Sequence, residues 1–313
     1  MKKPHGFGAS VAPRVLILAV FGSAGCTSHQ EFWLDNMAVH HGYTDEEIAR
    51  VLGKDAADIP ALLAAHGVRR EASRGPRGAA IKVLPYPGGR HPRIGFLDGA
   101  IDPHRGTKVS IFTPWDPRAY VVVDLPEALW WNHHGRRELL YLAHTHIPTH
   151  WDKASVELDR IDWTRGADGV LEFHRRLPNG VEFGARVEPR SDRVVMTLTM
   201  KNGSDRTITG LGTQVCVMLK GARGFNAQTN DNKVTVGATV ACRSDDGKRH
   251  VVTRWDDGAV WNNGRCPCMH SNPRFPDLAP GACAVVRGEL YFYDGADLEG
   301  EVRRRRASVS SGR

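Results

Sequence analysis

The sequence predicts a mainly β protein, a large antiparallel β-sandwich preceded by a small N-terminal helical segment. Three observations carry this. Apolar and polar residues alternate with period two through closely spaced segments. Turn formers punctuate those segments: Pro178-Asn179-Gly180, residues 189–192 and Asn202-Gly203. Long helical patterns are missing between the strands, which disfavours parallel α/β folds.

Taken in order, the chain opens with Lys2, Lys3 and Arg14, a short apolar run "VLILAVF" and the small residues of "GSAGC". This pattern predicts a signal peptide over residues 1–25, with Cys26 as a candidate lipidation site. The expected location is the periplasm or the envelope, as a lipoprotein, with membrane contact only through that anchor. The apolar run is far below the ~20 residues that span a bilayer. Residues 26–70 read as a small helical segment. "TDEEIARVLG" places Thr44 three residues before Glu47, a capping box, and Gly53 as a stop. "DAADIPALLAAHG" gives a second short helix ending at Gly67. The two resemble the helix-turn-helix of bacterial regulators. The export signal and the scarcity of basic residues on the second helix favour a helical lid instead. Residues 71–94, rich in Gly, Pro and Arg, read as a linker.

Strands follow over residues 95–298: "KVSIF", "AYVVVDL", "VLEFHRR", "VEFGARVEP", "RVVMTLTMK", "ITGLGTQVCVMLK" and "CAVVRGELYFY". Val194, Met196, Leu198 and Met200 share one face, and Thr197, Thr199 and Lys201 the other, as a meander with one buried face requires. Residues 299–313, with five Arg, read as a disordered basic tail. Of the formal charge of +7, three charges precede Cys26 and a net four lie in residues 301–313, so the stretch between is neutral. A neutral body argues against a nucleic-acid partner.

The segment from "GVLEFHRRLPNGVEF" to "MKNGSDRTITGLGTQVCVML" carries "LPNG" on a strand and a "NxSDxxxxGL" turn. It resembles the β-supersandwich of galactose-mutarotase-like proteins, and is similar to an exported family of planctomycete-type bacteria. The resemblance implies a supersandwich-like fold and carbohydrate handling. It does not place the epimerase pattern of two separated histidines and a late Glu base.

Candidate chemistry concentrates in three stretches. "YLAHTHIPTHWDK" brings His144, His146 and His150 within seven residues, followed by Trp151 and Asp152. On a strand, His144 and His146 share a face, which is half of a metal site, with Asp152 the nearest oxygen ligand. The competing reading is a metal-free sugar groove. In "NNGRCPCMHSN", Cys266, Cys268 and His270 alternate and offer two thiolates and an imidazole. Disulfides to Cys216, Cys242 or Cys283 compete with that. In "CVMLKGARGFNAQTNDNK", Gln214, Cys216, Met218 and Lys220 share a face that would be costly in a dry core and natural on a ligand-binding face. The next loop gathers Asn226, Gln228, Asn230, Asp231, Asn232 and Lys233, whose groups pair with hydroxyls as donors and acceptors. The chain has eight tryptophans, including Trp115, Trp130, Trp131, Trp151, Trp255 and Trp261; several lie in polar loops, where an indole plane suits the apolar face of a pyranose ring, with a place in the core as the competing reading.

The leading expectation is an exported carbohydrate-active protein: a lyase, epimerase or hydrolase, with His144, His146 and Lys220 as candidate bases. His150, Trp151, Gln214, Asn226, Gln228, Asn230, Asp231 and Lys233 are the expected substrate contacts. No cofactor is required, and a divalent metal at His144, His146 and Asp152 is the alternative. A non-catalytic carbohydrate-binding module and a cytoplasmic regulator are the competing functions.

Overall fold

The computed structural model describes residues 28–71, 80–93, 106–144, 147–227, 229–262, 264 and 268–310. The expected signal peptide and Cys26 lie outside them, as do His146, Gln228 and Cys266. Among the described residues no helix is long and apolar enough to cross a membrane.

The strands run β1 (Val83–Pro85), β2 (Lys108–Phe112), β3 (Tyr120–His133), β4 (Arg136–Leu142), β5 (Thr164–Arg165), β6 (Leu171–Arg176), β7 (Val181–Pro189) and β8 (Val194–Asn202). They continue as β9 (Thr209–Met218), β10 (Lys233–Val236), β11 (Thr239–Arg243), β12 (Arg249–Trp255), β13 (Ala259–Asn262), β14 (Met269–Asn272) and β15 (Cys283–Asp294). They form two antiparallel sheets. One has seven strands, in the order β1-β2-β3-β9-β14-β13 with β4 also on β3; the other has eight, in the order β10-β11-β12-β15-β8-β7-β6-β5. The expected antiparallel sandwich is therefore what forms.

Period-two alternation explains the core. Val194, Met196, Leu198 and Met200 of β8 are all buried, beside Val181, Phe183, Ala185 and Val187 of β7. From the other sheet, Val121, Val123, Val215 and Val217 meet them in the same cluster. Each such side chain contributes roughly 1.5–3 kcal/mol by burial.

The helical segment comprises α1 (His29–Asp35), a π-helical turn (Asn36–His40), α2 (Asp45–Leu52) and α3 (Ile59–Ala65). The Thr44–Glu47 capping box forms, and Gly53 closes α2 at φ +63°. Trp33, Leu34, Met37, Tyr43, Ile48 and Ile59 make a small core of their own. The segment docks on the seven-stranded sheet and on the chain leading from β1. Asn36 Nδ2 donates to Pro85 O at 2.9 Å, and the Tyr43 hydroxyl to Gly88 O at 2.7 Å. The helical segment is thus packed against the β domain. A short helix, α4 (His150–Lys153), follows β4.

Two expectations need correction. The segment assigned as a linker contains β1, which pairs with β2. The tail expected to be disordered is helical over α5 (Leu298–Ser310). Glu301 ion-pairs with Arg304 and Arg305, and Leu298 and Val302 are buried beside Tyr291. Spacing by three and four turns the charge block into helix-stabilising pairs.

Candidate functional site: a charged cluster on the outer face of the seven-stranded sheet

The alternation that sends Val215 and Val217 of β9 into the sandwich sends Gln214, Cys216 and Met218 to the opposite face. On β14, Met269 goes inward, while His270 and Cys268, the residue just before the strand, are buried apart from that core. His270 lies directly across from Cys216. The register of β3 against β9 shifts between Asp124 and Ala128, and Glu127 sits in that bulge. Bulges re-aim side chains in this way. The result is a buried polar cluster on the sheet face that the second sheet does not cover.

Glu127 is its hub. Oε1 accepts from Arg93 Nη2, and from His144 Nε2 at 2.9 Å. Oε2 accepts from Gln214 Nε2, with His270 Nε2 at 3.6 Å. Arg93 Nη2 also reaches Cys216 Sγ at 3.2 Å, and Cys268 Sγ stands 3.7 Å from His270 Nε2. Beside them, Lys108 Nζ is 3.1 Å from Asp124 Oδ2, and both side chains are fully buried. Thr107 Oγ1 donates to the other oxygen of Asp124.

Burial pushes the Glu127 carboxyl upward, but the hydrogen bonds from His144 and His270 and the Arg93 charge outweigh it and hold it well below the usual range. It is therefore an ionised organiser of its neighbours. Burial lowers the His144 pKa, only partly offset by the Glu127 hydrogen bond, so the imidazole is neutral near pH 7. Burial also acts to lower that of His270, yet Cys216 and Glu127 reverse it and raise the pKa. The Cys216 thiol is pushed up by burial. A neutral imidazole oriented by a carboxylate has the parts of a general base.

Two recesses border the cluster. One, of about 280 Å³, is lined by Trp130, Arg137, Gly212, Thr213, Gln214, Ala259, Trp261, Asn272, Pro273 and Arg274. Trp261 is 41% exposed and lies flat on His270, with centroids 4.1 Å apart at 4°. The other, of about 1130 Å³, includes Tyr141, His144, Trp151, Asp152, Arg160 and Arg175 in its lining.

The expected residues fare unequally. His144 and Gln214 belong to the cluster. Lys220 is exposed just after β9; burial lowers the pKa of His91, and the charge of Lys220 adds to that. Trp151 is not a free platform: it is a core residue whose indole N–H donates to Leu140 O at 2.8 Å. Asp152 is not poised for a metal, because its Oδ2 accepts from the backbone N and the hydroxyl of Thr149 in the capping box of α4. His150 pairs instead with Glu138 Oε2 at 2.9 Å, which also faces His133 Nδ1 at 3.3 Å. Asn226, Asn230 and Asp231 lie on the loop into β10, the edge strand of the other sheet, and Lys233 is the first residue of that strand. There Lys233 Nζ donates to Thr229 O at 3.0 Å and to Asn232, and the Asp231 amide to Thr229 Oγ1, so the loop serves its own turns. The described cysteines, Cys216, Cys242, Cys268 and Cys283, are free thiols. Sequence reasoning passed over Glu127 and Arg93. The available signal was two carboxylates, Asp124 and Glu127, inside an otherwise apolar strand.

No family model matches the chain, and no curated protein matches it either. Among solved structures it is similar in fold to a protein described as an aldose 1-epimerase from Escherichia coli K12, at 11% identity and a TM-score of 0.35, over 53% of this chain and 79% of that one. It is also similar to the Slr1438 protein of Synechocystis sp. PCC 6803, at 8% identity and a TM-score of 0.35, over 60% and 88%. A third is the heparan sulfate lyase HepC of Pedobacter heparinus, at 11% identity and a TM-score of 0.37, over 86% and 43%.

Proposed function

We propose that the outer face of the seven-stranded sheet binds a saccharide bearing an acidic group, and that His144 serves proton transfer on it. The observation that carries this reading is the recess holding Gln214. Its lining is drawn from side chains on β3, β4, β9, β13 and β14, with two indoles, two amides and two exposed arginines. Trp130 and Trp261 offer apolar faces of the kind a pyranose ring covers. Arg137 and Arg274 suit a carboxylate or sulfate, and no carboxylate lines the recess among the described residues. Gln214 connects this recess to Glu127, which orients His144 while burial keeps that imidazole neutral, and His144 borders the larger cavity. The reaction class that fits is proton abstraction next to a carboxylate, as in lyases and epimerases.

The test is a titration of tryptophan emission with neutral and acidic oligosaccharides, alongside a turnover assay. The acidic ones should bind more tightly, and Trp261→Ala should weaken them by about tenfold, roughly 1.4 kcal/mol. His144→Ala should keep binding and lose turnover. Equal response to neutral and acidic sugars, or unchanged affinity in Trp261→Ala, would refute the reading. A parent that binds acidic sugar without turnover would leave only the binding half, as in a carbohydrate-binding module.

A further inference from the structure

We infer that Cys216, Cys268 and His270 form a binding site for one thiophilic divalent ion, with zinc as the natural candidate. This goes beyond the saccharide reading and does not depend on it.

The backbone builds the donor set. His270 and Cys216 are cross-strand partners on β14 and β9, and Cys268 lies two residues before His270 on the same face. The thiol sulfurs and an imidazole nitrogen all lie within 4.8 Å of one another, and all three residues are buried. A tetrahedral zinc with sulfur at about 2.3 Å and nitrogen at about 2.05 Å sets sulfur and nitrogen about 3.6 Å apart. The Cys268 Sγ to His270 Nε2 distance is 3.7 Å. Two soft thiolates and an imidazole select zinc or a similar ion over calcium or magnesium.

Charge favours the same occupant. A divalent ion with two thiolates and a neutral imidazole is neutral overall, so it can be buried without a stranded charge. The surroundings supply what such a site uses for support. Arg93 Nη2 lies 3.2 Å from Cys216 Sγ and can donate to the thiolate. The Trp261 indole lies flat against the His270 ring and fixes its plane. Glu127 Oε2, 3.6 Å from His270 Nε2, can complete the coordination after a small side-chain movement, its added negative charge balanced by Arg93, which already donates to Glu127 Oε1. The site would then tie β9 to β14 at the point where their pairing consists of two residue pairs.

The experiment uses the full chain, purified under reducing conditions and stripped with chelator. Cobalt(II) is titrated first, followed by competition between zinc and a chromophoric chelator. The expected result is one equivalent of cobalt with a thiolate charge-transfer band and intense tetrahedral d–d bands, displaced by zinc. Cys216→Ser and Cys268→Ser should each weaken zinc by more than the roughly 10–100-fold typical of losing a supporting partner. Cys283→Ser, altering an exposed thiol away from the cluster, should bind as the parent does. X-ray absorption of the zinc-loaded parent keeps the test open should a variant fail to fold, and should count two sulfurs and at least one nitrogen. Less than a tenth of an equivalent bound, a zinc shell with no or one sulfur, or a thiolate band surviving at the parent's intensity in both serine variants would overturn the site. So would zinc binding lost in His133→Ala and kept in Cys216→Ser, since the ion would then sit at His133, Glu138 and His150.

Discussion

Acid should loosen the protein through one residue at the joint between lid and sheet. His41 is 3% exposed. Its Nδ1 donates to Asn36 O at 2.8 Å, so Nε2 is the nitrogen that accepts from Ser110 Oγ at 2.7 Å. The rings of Tyr43, Tyr86, Phe112 and Tyr120 surround it. Burial lowers its pKa to about 3; the Asn36 bond opposes this, and the charges of Arg90 and His40 add to it. The folded pKa lies below the unfolded value of 6.5, so the unfolded chain takes up the proton first. Stability is therefore lost as pH falls from about 6.5 towards 3. At 1.36 kcal/mol per pH unit, the interval from pH 7 to pH 5 removes about 2 kcal/mol through this one side chain. Urea unfolding at both pH values, in the parent and in His41→Gln, isolates the contribution. Glutamine keeps a donor and an acceptor but does not titrate. The parent should lose about 2 kcal/mol more than the variant over that interval. Equal losses in the two proteins would show that His41 is not held neutral, and the account of the lid joint would fail with it.

The buried pair of Lys108 and Asp124 gives a second test. Asp124→Ala strands a fully buried ammonium and should cost about 3–5 kcal/mol, whereas Lys108→Met with Asp124→Leu should cost far less or nothing; equal losses in chemical unfolding would contradict this. Gly288 lies against the Trp255 ring, and an added Cβ would fall 2.3 Å from Cδ2. Gly288→Ala should therefore cost roughly 1–3 kcal/mol by overpacking, and thermal unfolding indistinguishable from the parent would disprove that contact.

Much of the fold was legible because period two is a strong signal where one face is buried. "VEFGARVEP" coincides with β7, and the alternation in β8 is the alternation of its burial. The Thr44 cap and Gly53 stop were legible because capping is local chemistry. What depended on distant partners was not. β1 is three residues long, too short for a period, and is fixed by pairing with β2. The helical tail is held by Tyr291, whose ring also carries Arg305 at 4.0 Å, and no window on the tail alone contains that residue. At the site, alternation on β9 did place Gln214 and Cys216 on the outer face. Glu127 was hidden because a bulge, not a period, aims it, and Arg93 because it stands in a segment that read only as a linker.

The outer face of the seven-stranded sheet divides between two roles. At one end Tyr86, Phe112, Tyr120, Val122, Cys216, Met218 and Cys268 make an apolar patch. The lid covers part of it, with His41 against three of those rings. At the other end Trp130, Gln214 and Trp261 line an open recess. Between them lie Arg93, Lys108, Asp124 and Glu127, two cations and two anions, all buried. Such an arrangement adds little net stability, because its Coulombic gain is largely offset by desolvation, and an apolar substitute of equal volume is often as stable. Its persistence beside an open recess is better explained by what the ionised groups hold in place. Glu127 contacts His144, Gln214 and His270 at once. His144 borders the larger cavity, Gln214 lines the aromatic recess, and His270 stands with the two thiols. A neutral side chain at position 127 should therefore disturb all three together, which is how an organising carboxylate differs from one that merely balances charge.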